Sequence, residues 1–135
     1  MTRLSALPFA LLILAALPAC EGGPDLLDPE PCPGDSVTLS IQNGSDLDIV
    51  WAPACPVAWL EVFDHSTNVP TWTVSGRDGN VILPVVRYGH RPANALEVLA
   101  PTLLTPGRAY TVRVLRVIGS GPFALNPAGA ATFTR

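Results

Sequence analysis

Asp64-His65-Ser66 brings an acid, an imidazole and a hydroxyl together, the groups that activate a nucleophile when they converge on one point. Here they are consecutive at the end of an apolar alternating run, so their side chains diverge. Such triads are assembled across a fold, and a polar turn is the expectation. A second cluster, Arg87-Tyr88-Gly89-His90-Arg91-Pro92, sets a phenol, an imidazole and two guanidinium groups in a turn. That chemistry suits an anion or a partner surface, and equally a solvated turn. Tyr88, His90 and Arg91 are the candidate binding residues. Trp72, in Val69-Pro70-Thr71-Trp72, joins them as an interface aromatic if it lies exposed on an edge strand. Asn43-Gly44-Ser45 has the form of a glycosylation acceptor, although a turn role explains it fully. No phosphate loop, carboxylate pair or metal-ligand spacing occurs in the sequence. No catalytic residue, cofactor or metal is therefore expected, and the chain reads as a non-enzyme.

The cysteines are the other reactive groups, and there are three: Cys20, Cys32 and Cys55. An odd number in an exported protein needs an explanation. Export itself is suggested by the N-terminus, where Arg3 precedes an apolar run from Ala6 to Leu17. As a membrane span the run is too short. The 17 uncharged residues from Leu4 to Cys20 make about 25 Å of helix against a bilayer core of roughly 30 Å, and Pro8 and Pro18 shorten it further. An ordinary secretory signal cut after Ala19 would leave Cys20 as a free thiol.

Leu17-Pro18-Ala19-Cys20 resembles the lipobox of bacterial lipoproteins, in which the signal peptide is removed before a cysteine that then carries lipid. The resemblance implies a signal peptide over 1–19, lipidation of Cys20, and a chain anchored to a membrane of the cell envelope. In a Gram-negative cell, Glu21 stands where an aspartate often retains such proteins in the inner membrane. That implies the outer membrane, facing the periplasm. Lipidation also settles the parity, leaving Cys32 and Cys55 as an even pair.

From Cys20 onward there are 116 residues, enough for one domain with a modest core. Eleven acids against seven arginines, with no lysine, leave that part at −4, which argues against nucleic acid as a partner. Nine acids and no base lie between Glu21 and Asp64, whereas seven arginines and two acids follow. Either the folded molecule is polarised or the two halves interleave, and interleaving is the expectation. Residues 20–35, rich in Pro, Gly and Asp with only Leu26 and Leu27 apolar after Cys20, read as a semi-extended tether. Residues 36–135 read as the domain.

Within the domain the apolar residues alternate in short runs separated by turn residues, the pattern of strands. Val37, Leu39 and Ile41 alternate with polar residues, as do Leu47, Ile49 and Trp51 after Asn43-Gly44-Ser45. The register expected pairs Ile41 with Leu47, Leu39 with Ile49 and Val37 with Trp51, centred on a positive-φ Gly44. Continued outward, it sets Cys32 near Cys55 at the open end, where a disulfide would close 22 intervening residues and contribute about 3 kcal/mol. A metal there would need His65 or His90 to join the thiols. Further strands are expected over 58–64, 70–74, 81–88, 95–99, 109–118 and 130–134, with no helix after the leader. Short strands and frequent turns predict an antiparallel β-sandwich or barrel.

The run Leu104-Thr105-Pro106-Gly107-Arg108-Ala109-Tyr110-Thr111-Val112-Arg113-Val114 is similar to the L-x-P-G-x-x-Y-x-V-x-V stretch of fibronectin type III domains. Leu47 to Pro53 resembles that family's early strand ending in a core tryptophan, and Trp59-Leu60-Glu61-Val62-Phe63 its aromatic-x-x-Val strand. The resemblance implies an immunoglobulin-like sandwich with Trp51, Tyr110 and Phe133 in the core. It also implies that the Tyr110 hydroxyl bonds back to the chain. Cys32, Cys55 and the proline-rich stretch 75–101 depart from the pattern. The functional expectation is an anchored binding or assembly module with a protein or glycan partner. The alternative is an inhibitor of a protease or lysozyme that inserts Gly119-Ser120-Gly121-Pro122 or the turn 88–92.

Overall fold

The computed structural model describes Cys32, residues 34–119 and residues 124–135. Among these there are eight strands and no helix: β1 (Thr38–Asn43), β2 (Leu47–Ala52), β3 (Trp59–Asp64), β4 (Pro70–Gly76), β5 (Val86–Arg87), β6 (Ala95–Leu99), β7 (Ala109–Val117) and β8 (Leu125–Thr134). They form a three-stranded sheet, β1-β2-β5, packed on a five-stranded sheet, β6-β4-β3-β7-β8, with every pairing antiparallel. The protein is an immunoglobulin-like β-sandwich.

Alternation decides which side chains fill it. Leu39, Leu47, Ile49 and Trp51 from the smaller sheet are buried against Leu60, Val62, Trp72, Val74, Val112 and Val114 from the larger. Trp51, Tyr110 and Phe133 lie in this core, and the Trp51 Nε1–H donates to the Cys55 carbonyl at 2.7 Å. The Tyr110 hydroxyl accepts a hydrogen bond from the Thr105 N–H at 2.8 Å, the corner its motif implies.

The first hairpin departs from the expected register by two residues. Ile41 pairs with Ile49, Leu39 with Trp51 and Asn43 with Leu47, so the turn centres on Ser45 and Gly44 has no positive φ. A slip of two in the pairing keeps every side chain on its own face, which is why the inward set is unchanged. The end of β8 explains the slip. The Asn43 side chain donates to the Thr134 carbonyl at 2.6 Å, and Arg135 Nη1 donates to Asn43 Oδ1 at 2.8 Å, holding Asn43 in the strand.

Two other strands differ from their expected bounds by more than two residues. The 81–88 run yields only the two residues of β5 and a bridge from Ile82 to Val57, because Pro84 has no N–H to give a ladder. At the other extreme β8 begins at Leu125, not at residue 130. Pro127 is admitted by a bulge: Val114 pairs with Gly129 and Leu115 with Pro127, which leaves Ala128 extra. The Ala128 carbonyl accepts the Val37 N–H at 2.9 Å, closing β1 onto β8. Gly129 makes that approach possible, since a Cβ there would meet Leu39 Cδ1 and lie 2.5 Å from the Val37 carbonyl oxygen.

The ion pairs answer the charge question. Arg87 pairs with Asp46 and Asp48, Arg108 with Asp64, and Arg113 with Glu61. Each joins an acid of the first half to an arginine of the second, so the halves interleave.

Strand direction defines two poles. Asn43, Leu47, Arg87, Leu99 and Thr134 lie at or near one; Thr38, Ala52, Gly76, Ala95 and Leu125 lie at the other. Cys32 is bonded to Cys55 at the second pole, 23 positions apart with Cα atoms separated by 5.3 Å.

Candidate functional site

The pole opposite the disulfide carries a cleft of about 570 Å³ between three chain segments and Arg135. One wall is the β1–β2 turn (Ser45, Asp46, Leu47), the second the end of β5 (Arg87, Tyr88, Gly89), and the third the loop 101–106. The volume falls in the range of small-molecule and peptide pockets.

Local bonding fixes each wall. The Tyr88 hydroxyl lies 2.7 Å from the Thr102 carbonyl and 3.2 Å from that of Thr71, and its ring stands edge-on to Trp72 at 5.3 Å. Burial leads these effects and raises the phenol pKa above its usual value, so Tyr88 is a neutral donor. Gly89 turns the chain beside Pro101 at φ 76°, a conformation that side-chain-bearing residues rarely adopt. Arg87 is clamped across the sheet by Asp48 at 3.0 Å and Asp46 at 3.2 Å. The hydrogen bond to Asp48, then the Asp46 charge, raise its pKa. Leu47 and Leu104 are buried beneath the cleft, and Leu103 stands 97% exposed at its rim.

The residues anticipated from sequence distribute unevenly around this cleft. Tyr88 lines it, half-buried, as a wall more than as a free contact. His90 is exposed beside a shallower hollow of about 330 Å³ with Asp48, Val85 and Arg87. Arg91 is exposed and lines neither. Trp72 is a correction: it is 0% exposed, on a strand flanked by β3 and β6, and offers no surface to a partner. Its neighbours in the sequence suggested an edge, but the edge is β6, and Trp72 faces the opposing sheet. Arg87, part of the anticipated anion-binding turn, is already matched by two carboxylates. Cys20 and Ser120-Gly121-Pro122 lie outside the described residues.

Asp64, His65 and Ser66 do not form a relay. Asp64 Oδ1 accepts from the Ser66 hydroxyl at 2.6 Å and from the N–H groups of Ser66 and Thr67, both at 3.0 Å, while Oδ2 pairs with Arg108. The Ser66 hydroxyl bond is the leading cause that holds the carboxyl at a pKa of about 2. His65 turns away, with Nδ1 2.9 Å from Thr111 Oγ1. The polar turn expected from the sequence is what forms.

Asp46, Pro101, Leu103, Pro106 and Arg135 line the cleft without having been anticipated. Leu104 and Pro106 carried a signal through the L-x-P-G motif, but for the fold and not for a site. The others are brought together by long-range pairing that no local pattern announces. No family model, curated protein or solved structure matches this chain.

Proposed function

We propose that this protein is a lipid-anchored, non-catalytic binding module of the cell envelope, with the cleft as the seat for a protein or glycan partner. The observation that carries the reading is the opposition of the two poles. Cys32, where the tether enters the domain, is bonded at one end, and the cleft opens at the other. A tether of 12 residues from Cys20 to Cys32 spans at most about 40 Å, which keeps the domain near the bilayer with the cleft at the end of the domain remote from its attachment. The locked turn at Asp64 supports a binding role over nucleophilic chemistry.

Two measurements test this. Replacing Cys20 by serine abolishes metabolic acyl labelling and releases the protein from the membrane; persistent labelling overturns the anchor. The released domain, used as bait, retains an envelope partner that a Leu103→Asp variant does not retain. A hydrolase inhibited at submicromolar concentration, unaffected by Leu103→Asp, would support the inhibitor reading in its place.

A further inference from the structure

The two arginines lining the cleft differ in what surrounds them. Arg87 has its charge met within the protein by Asp46 and Asp48. Arg135 has no carboxylate within ion-pair distance among the described residues. Its Nη1 donates to Asn43 Oδ1 at 2.8 Å and to the Gly44 carbonyl at 3.2 Å. Those two bonds occupy both protons of that nitrogen. A guanidinium carries five N–H donors, so three, on Nε and Nη2, have no partner among the described residues. That edge matches a carboxylate in bidentate geometry.

The bonds to the turn also hold the guanidinium in place. The backbone behind it is fixed as well: the Arg135 N–H donates to the Arg108 carbonyl at 3.1 Å, and the Arg135 carbonyl accepts from the Gly107 N–H at 2.6 Å. Beside it the lining is apolar: Leu47, Pro101, Leu103, Leu104, Pro106 and the Tyr88 ring. One cation with an available edge therefore stands next to a preformed apolar trough, and little ordering is needed to use either.

We infer that the cleft takes a peptide segment of a partner protein in which an acidic side chain neighbours a bulky aliphatic one. The carboxylate meets the Nε–Nη2 edge of Arg135, and the aliphatic group lies against Tyr88, Leu103 and Leu104. Charge complementarity selects this occupant, because among the described residues no Asp or Glu side chain pairs with Arg135, whereas Arg87 is met by two. The inference rests on the reading of the cleft as the binding seat.

The test uses the exported protein carrying Cys20→Ser, labelled with ¹⁵N and with the disulfide intact. The probes are the peptides Ac-Gly-Leu-Glu-Leu-Gly-NH₂ and Ac-Gly-Leu-Gln-Leu-Gly-NH₂, identical except for the carboxylate. The Glu peptide should shift the amides of Ser45, Gly89 and Leu103 and bind about fivefold more tightly than the Gln peptide, the advantage shrinking in high salt. Arg135→Gln should abolish that preference, and Arg135→Lys should keep part of it. Unchanged amide spectra away from the cleft show that each variant is folded. Equal binding of both peptides at the cleft overturns the carboxylate assignment and leaves the seat standing. Shifts elsewhere, or none at millimolar peptide, overturn both.

Discussion

At the disulfide pole the chain is fastened by a covalent bond and by side chains that close on backbone. Arg116 reaches the carbonyls of Pro56 at 3.1 Å and Gly34 at 3.2 Å, and the Asn80 amide bonds both the N–H and the carbonyl of Val117. At the cleft pole no covalent tie exists among the described residues. Tyr88, Tyr110, Arg87 and Arg135 each hold one loop through one or two polar contacts, and a hollow remains between them. Mechanical load from an anchor needs a closed end, whereas a binding surface needs open space with fixed walls. On the proposed reading of an anchored binding module, the two poles divide those demands.

The largest perturbation removes what both poles share. Trp72→Ala should cost about 4 kcal/mol, because the ring is fully buried and also supports Tyr88 edge-on. Denaturant unfolding measures this; a loss under 1 kcal/mol would mean Trp72 is not in the core. Next comes the paired change Cys32→Ser with Cys55→Ala, expected to cost about 3 kcal/mol. Hydrogen exchange of the variant should quicken first around residues 34–37 and 53–57, with Gly89 and Thr102 slowest to respond. The reverse order would erase the contrast between the poles.

Tyr88→Phe is the matching test at the other end, with an expected loss of about 1 kcal/mol. Exchange should rise at 101–104 while the disulfide pole stays as it was. Acid sharpens the picture at the same pole. Asp64 titrates near 2 in the fold against 3.8 for an ordinary aspartate. Its contribution is therefore fully present above about pH 4 and is lost as pH falls through about 2. Thermal melts of Asp64→Asn and the wild type should converge across that window, and a constant difference would contradict the bonding at the turn. The smallest effect belongs to Leu103→Ser, which should leave stability within about 0.5 kcal/mol because the side chain is almost wholly solvated.

Period-two alternation made the sandwich legible, since Leu39, Ile49, Leu60, Val62 and Val112 declare their face without reference to any partner. Cysteine parity and hairpin geometry made the disulfide legible in the same way. The cleft was not. Its walls come from residues 45–47, 87–89, 101–106 and 135, and only long-range contacts bring them together: β2 with β5, Thr102 with Thr71, and Arg135 with Arg108 and Asn43. Trp72 misled for the same reason. Whether a strand is an edge depends on what pairs beyond it, and β6 lies more than twenty residues away in sequence.

The proposed function holds the partner at the pole opposite the proposed anchor. A photo-crosslinking residue placed at Leu103, and separately at Asp35, in the membrane-tethered protein within intact envelopes tests it most directly. Binding at the cleft should give a discrete adduct from position 103 and none from position 35. The same adduct from both positions, or one from position 35 alone, would contradict it.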